Sequence, residues 1–266
     1  MKTVRRFLTF LIALLVVGPA ASLARKHAHK HPRKARAHVV RRHGARATVS
    51  DTLPLSFYAP DTLHQGRATY YRHNPKGGAC TLPGDDSLVV AMNGHHYGNA
   101  TLCGACIEVQ GPSGTVTARV VDRCVGCAQG SLDLSRAAFA HIAPLSAGRI
   151  DVSWHVVTCE QDTVMELHRT ANSSKYWSSL QLRGHGVPLR SLEVLVDSTW
   201  MPLQKQPHNR YVSRNLPDTP WTIRITDVWN RTVVDSQLAP AAGRSVPLRV
   251  RFPSLTSTPG SLSLVR

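Results

Sequence analysis

The chain has 266 residues and a formal net charge of +16. Twelve of its Lys and Arg residues lie in the first 50 positions, so the remainder carries only +4, too little to indicate a nucleic-acid-binding fold. Beyond the amino-terminal leader no segment is long and apolar enough to cross a membrane, which excludes a multispanning protein.

The leader comes first. Lys2, Arg5 and Arg6 precede an apolar run from Phe7 to Val17, and the small residues Ala20, Ala21, Ser22 and Ala24 follow. This is the pattern of a cleaved signal peptide over residues 1–24, and the run is too short for a membrane anchor. Export is therefore expected, with no membrane attachment after cleavage. Residues 25–50 hold nine Lys or Arg, five His and no acid, without periodicity. Such a stretch buries too little apolar surface to repay ordering, so a disordered basic segment is predicted. Outside the cell it could act as a bare tether or attract acidic polymers such as pectin by nonspecific electrostatics.

Six cysteines follow, Cys80, Cys103, Cys106, Cys124, Cys127 and Cys159. An even number in an exported chain points to three disulfides. The competing reading is a zinc site, because Cys103-x-x-Cys106 and Cys124-x-x-Cys127 stand seventeen residues apart. Zinc would leave Cys80 and Cys159 unpaired in an oxidising compartment, so disulfides are favoured and no metal is expected.

Residues 51–160 are rich in Gly and Cys, with β-type runs at Arg67–Tyr71, Ile107–Gln110, Thr115–Val121 and Ile150–Val157. Leu134–Ile142 reads as a short helix opened by Ser135. Many short strands with glycine-rich turns predict a compact β-barrel. Residues 163–254 lack cysteine and alternate with period two. Leu192, Val194 and Val196 form one apolar face, as do Trp221, Ile223 and Ile225, and then Val246, Leu248, Val250 and Phe252. Turns are expected at Asp197-Ser198 and Asn230-Arg231, giving a small antiparallel sandwich, with residues 255–266 as a tail. Trp154 and Trp221 lie in regular strands and are expected in the core; Trp200 and Trp229 flank turns.

Several motifs now combine: Gly66-Arg67-Ala68-Thr69-Tyr70-Tyr71, Gly77-Gly78-Ala79-Cys80, Cys103-Gly104-Ala105-Cys106, Val121-Asp122-Arg123-Cys124, Leu132-Asp133-Leu134-Ser135 and Val152-Ser153-Trp154-His155-Val156-Val157. Together they resemble the barrel domain of expansins. Ser173-Ser174-Lys175-Tyr176-Trp177 and Leu180-Gln181-Leu182-Arg183 are similar to the expansin wall-binding domain. The resemblance covers about residues 61–254, with both domains in the family's order. It implies an all-β fold, a six-stranded double-psi β-barrel followed by an immunoglobulin-like β-sandwich. It also implies the pairings Cys80–Cys103, Cys106–Cys159 and Cys124–Cys127. On the chain-entropy model each of the two longer loops is worth roughly 3–4 kcal/mol.

The family's groove positions fall on Thr69, Asp122 and Asp133. Asp133 matches the general acid of related family-45 glycoside hydrolases, with Asp122 expected beside it as a hydrogen-bonding partner. An aromatic often found two residues after the first groove Asp is here Cys124. The planar aromatic row of the second domain falls on Tyr176 and Trp177, with His208 third, or Tyr211 if the register slips; a lysine expected nearby is Thr170. Adjacent strand residues point to opposite faces, so Tyr176 and Trp177 share a surface only where the backbone is irregular.

An inverting glycosidase needs an acid and a separate base. Asp133 supplies an acid, but no carboxylate occurs between Asp61 and Asp85, where the related hydrolases draw their base. Hydrolysis is disfavoured on that ground. Asp122 and Asp133 also admit a purely structural reading as turn and capping residues. The expectation is a secreted, monomeric, non-hydrolytic protein that loosens plant cell walls by binding cellulose and matrix polysaccharides, with no cofactor. The alternatives are a glycan-cleaving enzyme on the same barrel (an endoglucanase or a peptidoglycan lytic transglycosylase) and a pure carbohydrate-binding protein. Pectin and peptidoglycan are further candidate partners.

Overall fold

The computed structural model describes residues 54–75, 77–83, 87–159, 164–254 and 263–264. The leader, the basic segment, Asp85, Asp86, residues 160–163 and most of the tail lie outside the described residues. Among those described, no helix is long and apolar enough to cross a membrane.

The first half closes into a barrel of β1 (Thr62–Tyr71), β2 (Val89–Asn93), β3 (Cys106–Gly111), β4 (Gly114–Cys124), β5 (Leu132–Ser135) and β6 (Ile150–Val157). The strand order is β1-β5-β2-β4-β3-β6, and β1 pairs back onto β6 to leave no free edge within the ring. Two pairs, β1 with β5 and β2 with β4, run parallel. The loop that leads into β5 passes β1, and the loop that leads into β2 passes β4, each at backbone distance, and glycine makes room. A Cβ on Gly130 would stand 2.1 Å from the Gln65 carbonyl oxygen, and one on Gly78 would stand 2.7 Å from that of Val121. Both glycines have positive φ, +82° and +100°, which glycine alone adopts without cost. Trp154 Nε1 donates to Gly130 O at 2.8 Å and pins the first crossing.

Two helices are attached, α1 (Gly94–Tyr97) and α2 (Arg136–Ile142). Ser135 caps α2 by accepting from Ala138 N, as its position predicts, while Leu134 belongs to β5. Around Trp154, Phe139, Ile107, Leu132 and Leu134 the barrel core is fully buried.

The second half forms two antiparallel sheets. One contains β9 (Leu189–Val196), β10 (Thr199–Pro202), β13 (Trp221–Asp227) and β14 (Thr232–Leu238) in the order β10-β9-β13-β14. The other contains β7 (Glu166–Arg169), β8 (Trp177–Arg183), β11 (Gln204–Gln206), β12 (Arg210–Arg214) and β15 (Ser245–Pro247) in the order β11-β12-β8-β7-β15. Leu167, Leu180, Leu182, Leu192, Val194, Tyr211, Trp221, Ile223 and Ile225 fill the space between them. Asp197 and Ser198 take positive φ in the turn between β9 and β10, and Asn230 does so between β13 and β14. The apolar run at residues 246–252 is not one strand: β15 ends at Pro247, and Leu248 and Phe252 are buried from irregular backbone. A two-residue strand, β16 (Ser263–Leu264), lies parallel to β1 at Thr62 and Leu63.

All six cysteines are paired, Cys80–Cys103, Cys106–Cys159 and Cys124–Cys127. The zinc reading is thereby corrected, since each thiol it required is oxidised. Trp154 and Trp221 are in the cores, as expected. Trp200 lies under the Arg224 guanidinium, and Trp229 Nε1 donates to Tyr58 O at 3.0 Å, tying the sandwich to the barrel.

Further hydrogen bonds join the two halves, and their acceptors are nearly all main-chain carbonyls. Tyr97 Oη donates to Pro207 O at 2.6 Å, Asn99 Nδ2 to Lys205 O at 3.2 Å, and Thr81 Oγ1 to His208 O at 3.0 Å. Gln181 Nε2 donates to Cys80 O and Thr81 O, and Leu189 N to Thr101 O.

Candidate functional site

The parallel pairing of β1 with β5 puts Thr69 directly opposite Asp133. Thr69 Oγ1 donates to Asp133 Oδ1 at 2.7 Å. On its other side β5 pairs with β2, placing Ala91 opposite Asp133, and β2 in turn pairs Ala91 with Asp122 of β4. Ala91 puts only a methyl group between the two acids, which come from the strands on either side of it.

Burial raises the Asp133 carboxyl above the ordinary aspartate range; the Thr69 hydrogen bond opposes this and the Asp122 charge adds to it. The expected hydrogen bond between the two acids is corrected. Asp133 is bonded by Thr69, whereas Asp122 Oδ1 accepts from Ala79 N at 2.6 Å and from its neighbour Arg123 N at 2.7 Å. Asp122 therefore does fasten backbone, at the Gly78 crossing. Asp133 does not cap α2, because Ser135 does.

Two tyrosines join these acids that sequence reasoning left unassigned. Tyr71 follows Thr69 by two residues in β1 and so shares its face, a signal already present in the alternation. Its phenol is raised by burial and by the Asp122 and Asp133 charges. The Tyr97 phenol is pushed up to about 12 by burial first and then by Asp122. The Cys124–Cys127 disulfide closes a loop just past Asp122, with Val125 82% exposed at its tip.

On the sandwich, Tyr176 is 67% exposed and precedes β8, so strand alternation does not govern it. Ser174 Oγ accepts from both Tyr176 N and Trp177 N, which makes this the irregular backbone that a shared surface requires. Trp177 opens β8, partly exposed, on the same face as Ser179, Gln181 and Arg183. His208 is exposed in the turn before β12. Tyr211 is corrected: it is fully buried, 0% exposed, because its register opposite Leu180 aims it into the sandwich core. Thr170 bonds Asn172 and Ser173 in the turn before Tyr176 and supplies no cation.

The barrel acids and the sandwich aromatics are joined through a short path. Asp122 holds Ala79, the next residue Cys80 and then Thr81 receive Gln181, and Gln181 lies on the Trp177 face of β8.

Comparison with known proteins agrees with this architecture. The family model described as lytic transglycolase matches residues 64–154. An expansin of Bacillus subtilis is 34% identical over 211 residues, covering 75% of this chain and 91% of the relative. The crystal structure of apo expansin from Clavibacter michiganensis superposes with a TM-score of 0.68 at 31% identity, covering 72% of this chain and 98% of that one. A mutant of that expansin in complex with cellohexaose gives the same TM-score at 30% identity. With 34% identity across 91% of one expansin and a TM-score of 0.68 across 98% of another, the chain belongs to the expansin family.

Proposed function

We propose that this is a secreted protein that binds cellulose through Tyr176, Trp177 and His208 and loosens plant cell walls through the barrel groove of Thr69, Asp122 and Asp133. The observation that carries the reading is the arrangement of the two groove acids among the described residues: Asp133 is desolvated and held by Thr69, while Asp122 Oδ1 accepts from two backbone amides. An acid whose neighbouring carboxylate, among the described residues, is turned to fastening backbone supports gripping and polarising a glucan more than splitting one. The hydroxyls Thr69 and Tyr71 add hydrogen-bonding groups around it. Exposed aromatic faces hold sugar rings by burying apolar C–H surface, on the order of 2.5 kcal/mol per ring before ordering costs.

The cellohexaose complex of the Clavibacter relative supports cellulose as a ligand here. The paired cysteines support an oxidising, extracellular setting. The test is creep of a clamped, heat-inactivated plant wall, with sugar release assayed alongside, for wild type and Asp133→Ala. Extension without sugar release, lost in the variant, is expected. The match to the lytic transglycolase family favours one second reading, cleavage of peptidoglycan by Asp133. Release of anhydro-muropeptides that depends on Asp133 would establish it in place of the first.

A further inference from the structure

The barrel carries a second polar surface on the strands next to the groove. In β1 His64 and Ala68 are buried, so Gln65, Arg67, Thr69 and Tyr71 share the outer face. In β6 Val152, Trp154 and Val156 are buried, which turns Asp151, Ser153 and His155 outward. In β3 Ile107 and Val109 are buried, and Gln110 faces out. Antiparallel register sets these groups in rows. Gln65 stands opposite Ser153 and Ser153 opposite Gln110, with Arg67 opposite Asp151 in the neighbouring row.

Gln65, Arg67, Gln110, Asp151 and Ser153 line an open cleft of about 660 Å³, together with bare main chain at Gly66 and Gly111. That volume lies within the usual ~300–1,000 Å³ of ligand clefts. No aromatic ring lines it, so a ligand is held there by hydrogen bonds and not by stacking. Gln110 Oε1 accepts from Thr115 Oγ1 at 2.7 Å, which fixes one amide in the wall. Arg67 and Asp151 are 3.6 Å apart and largely exposed, so their charges offset each other while their polar atoms stay open to a ligand. One row further, Glu108 and His155 stand 3.9 Å apart. Amides, a hydroxyl and a balanced ion pair suit the hydroxyl groups of an uncharged sugar chain, and they give an anion no advantage.

The cleft adjoins the groove. Arg67 precedes Thr69 by two residues on one face of β1, about 7 Å along the strand, and Gln65 precedes it by four, about 13 Å. Thr69 in turn holds Asp133. We propose that the cleft is a distal subsite of the barrel groove, where an uncharged β-glucan that passes Asp133 and Thr69 is held by Gln65, Ser153 and Gln110. The subsite rests on the reading of the groove as a glucan site and deepens it. It prolongs, past Asp133, the path that runs from Gln181 through Cys80 and Ala79 to Asp122. A chain gripped beyond Asp133 as well as before it is held over a longer reach, which favours drawing it away from its neighbours.

The test is a titration of the full secreted chain with cellohexaose, followed residue by residue through backbone amide chemical shifts. Wild type should show shifts at Gln65, Gln110 and Ser153 together with Thr69 and Asp133. Raising the salt should leave them in place, since the ligand is uncharged. Gln65→Ala with Gln110→Ala should weaken cellohexaose at the barrel at least threefold. Shifts at Tyr176 and Trp177 should persist in that variant and certify its fold. Shifts at Thr69 and Asp133 without the cleft would overturn the subsite and leave the groove reading standing. Unchanged barrel affinity in the double variant would overturn it too. Shifts confined to the sandwich would overturn both the subsite and the groove reading.

Discussion

Gln181→Ala removes an amide that is 0% exposed and touches both halves of the protein. Its Nε2 donates to Cys80 O at 3.1 Å, Thr81 O at 3.2 Å and Thr81 Oγ1 at 3.1 Å. Its Oε1 accepts from Arg183 Nε. Thr81 is exposed, so water can replace its lost bonds at little cost. Cys80 is fully buried, and its carbonyl would be left dry, a loss of about 1–3 kcal/mol. With about 1 kcal/mol for the remaining bonds, the total is roughly 2–4 kcal/mol against a typical stability of ~5–15 kcal/mol. Urea unfolding monitored through the two core tryptophans, Trp154 in the barrel and Trp221 in the sandwich, reads the consequence directly. Wild type should unfold in one transition, and the variant in two separated ones. Adsorption to cellulose should persist while wall extension falls. A loss below about 1 kcal/mol with coincident transitions would refute the claim that this amide couples the halves.

Three other outcomes are expected. Because the folded-state carboxyl of Asp133 is raised above its unfolded value, the native state binds more protons there, and stability from this group falls as pH rises through the folded pKa. Asp133→Asn should therefore unfold at higher urea than wild type at neutral pH, with the gain vanishing in acid; a gain that grows toward low pH would contradict it. Mild reductant with alkylation and mass mapping should open Cys124–Cys127 first, since both cysteines are partly exposed while the other four are buried. Simultaneous labelling of all six would exclude that order. Gly130→Ala places a Cβ 2.1 Å from Gln65 O at positive φ, and left-handed strain with overpacking should cost about 2–5 kcal/mol, read as a lowered urea midpoint.

The sequence makes much of this legible. β6 spans Ile150–Val157, the predicted run, and the apolar faces at 192–196 and 221–225 line the sandwich core. What escaped has physical reasons. β2 is buried at every position, so it shows no alternation, and β5 is only four residues long beside a helix signal. Tyr211 resembled a surface aromatic because its register opposite Leu180 depends on the turn at Asn209, which takes positive φ. Asp122 and Asp133 were both located, but their partners come from residues 43 and 64 positions away and follow from the two loop crossings. Tyr71 was within reach of the period-two rule beside Thr69.

The seam between barrel and sandwich is written chiefly in main-chain oxygen, with Pro207, Lys205, His208, Cys80 and Tyr58 all accepting through their carbonyls. Exchanging a side chain in the 205–208 turn leaves such acceptors in place, whereas inserting or deleting a residue displaces them all. The exposed position of His208 is therefore open to exchange without loosening the joint, whereas Lys205 is held by its own bond from Nζ to Leu189 O at 2.7 Å. A library aimed at new glycan preferences should hold the turn's length fixed and vary its composition.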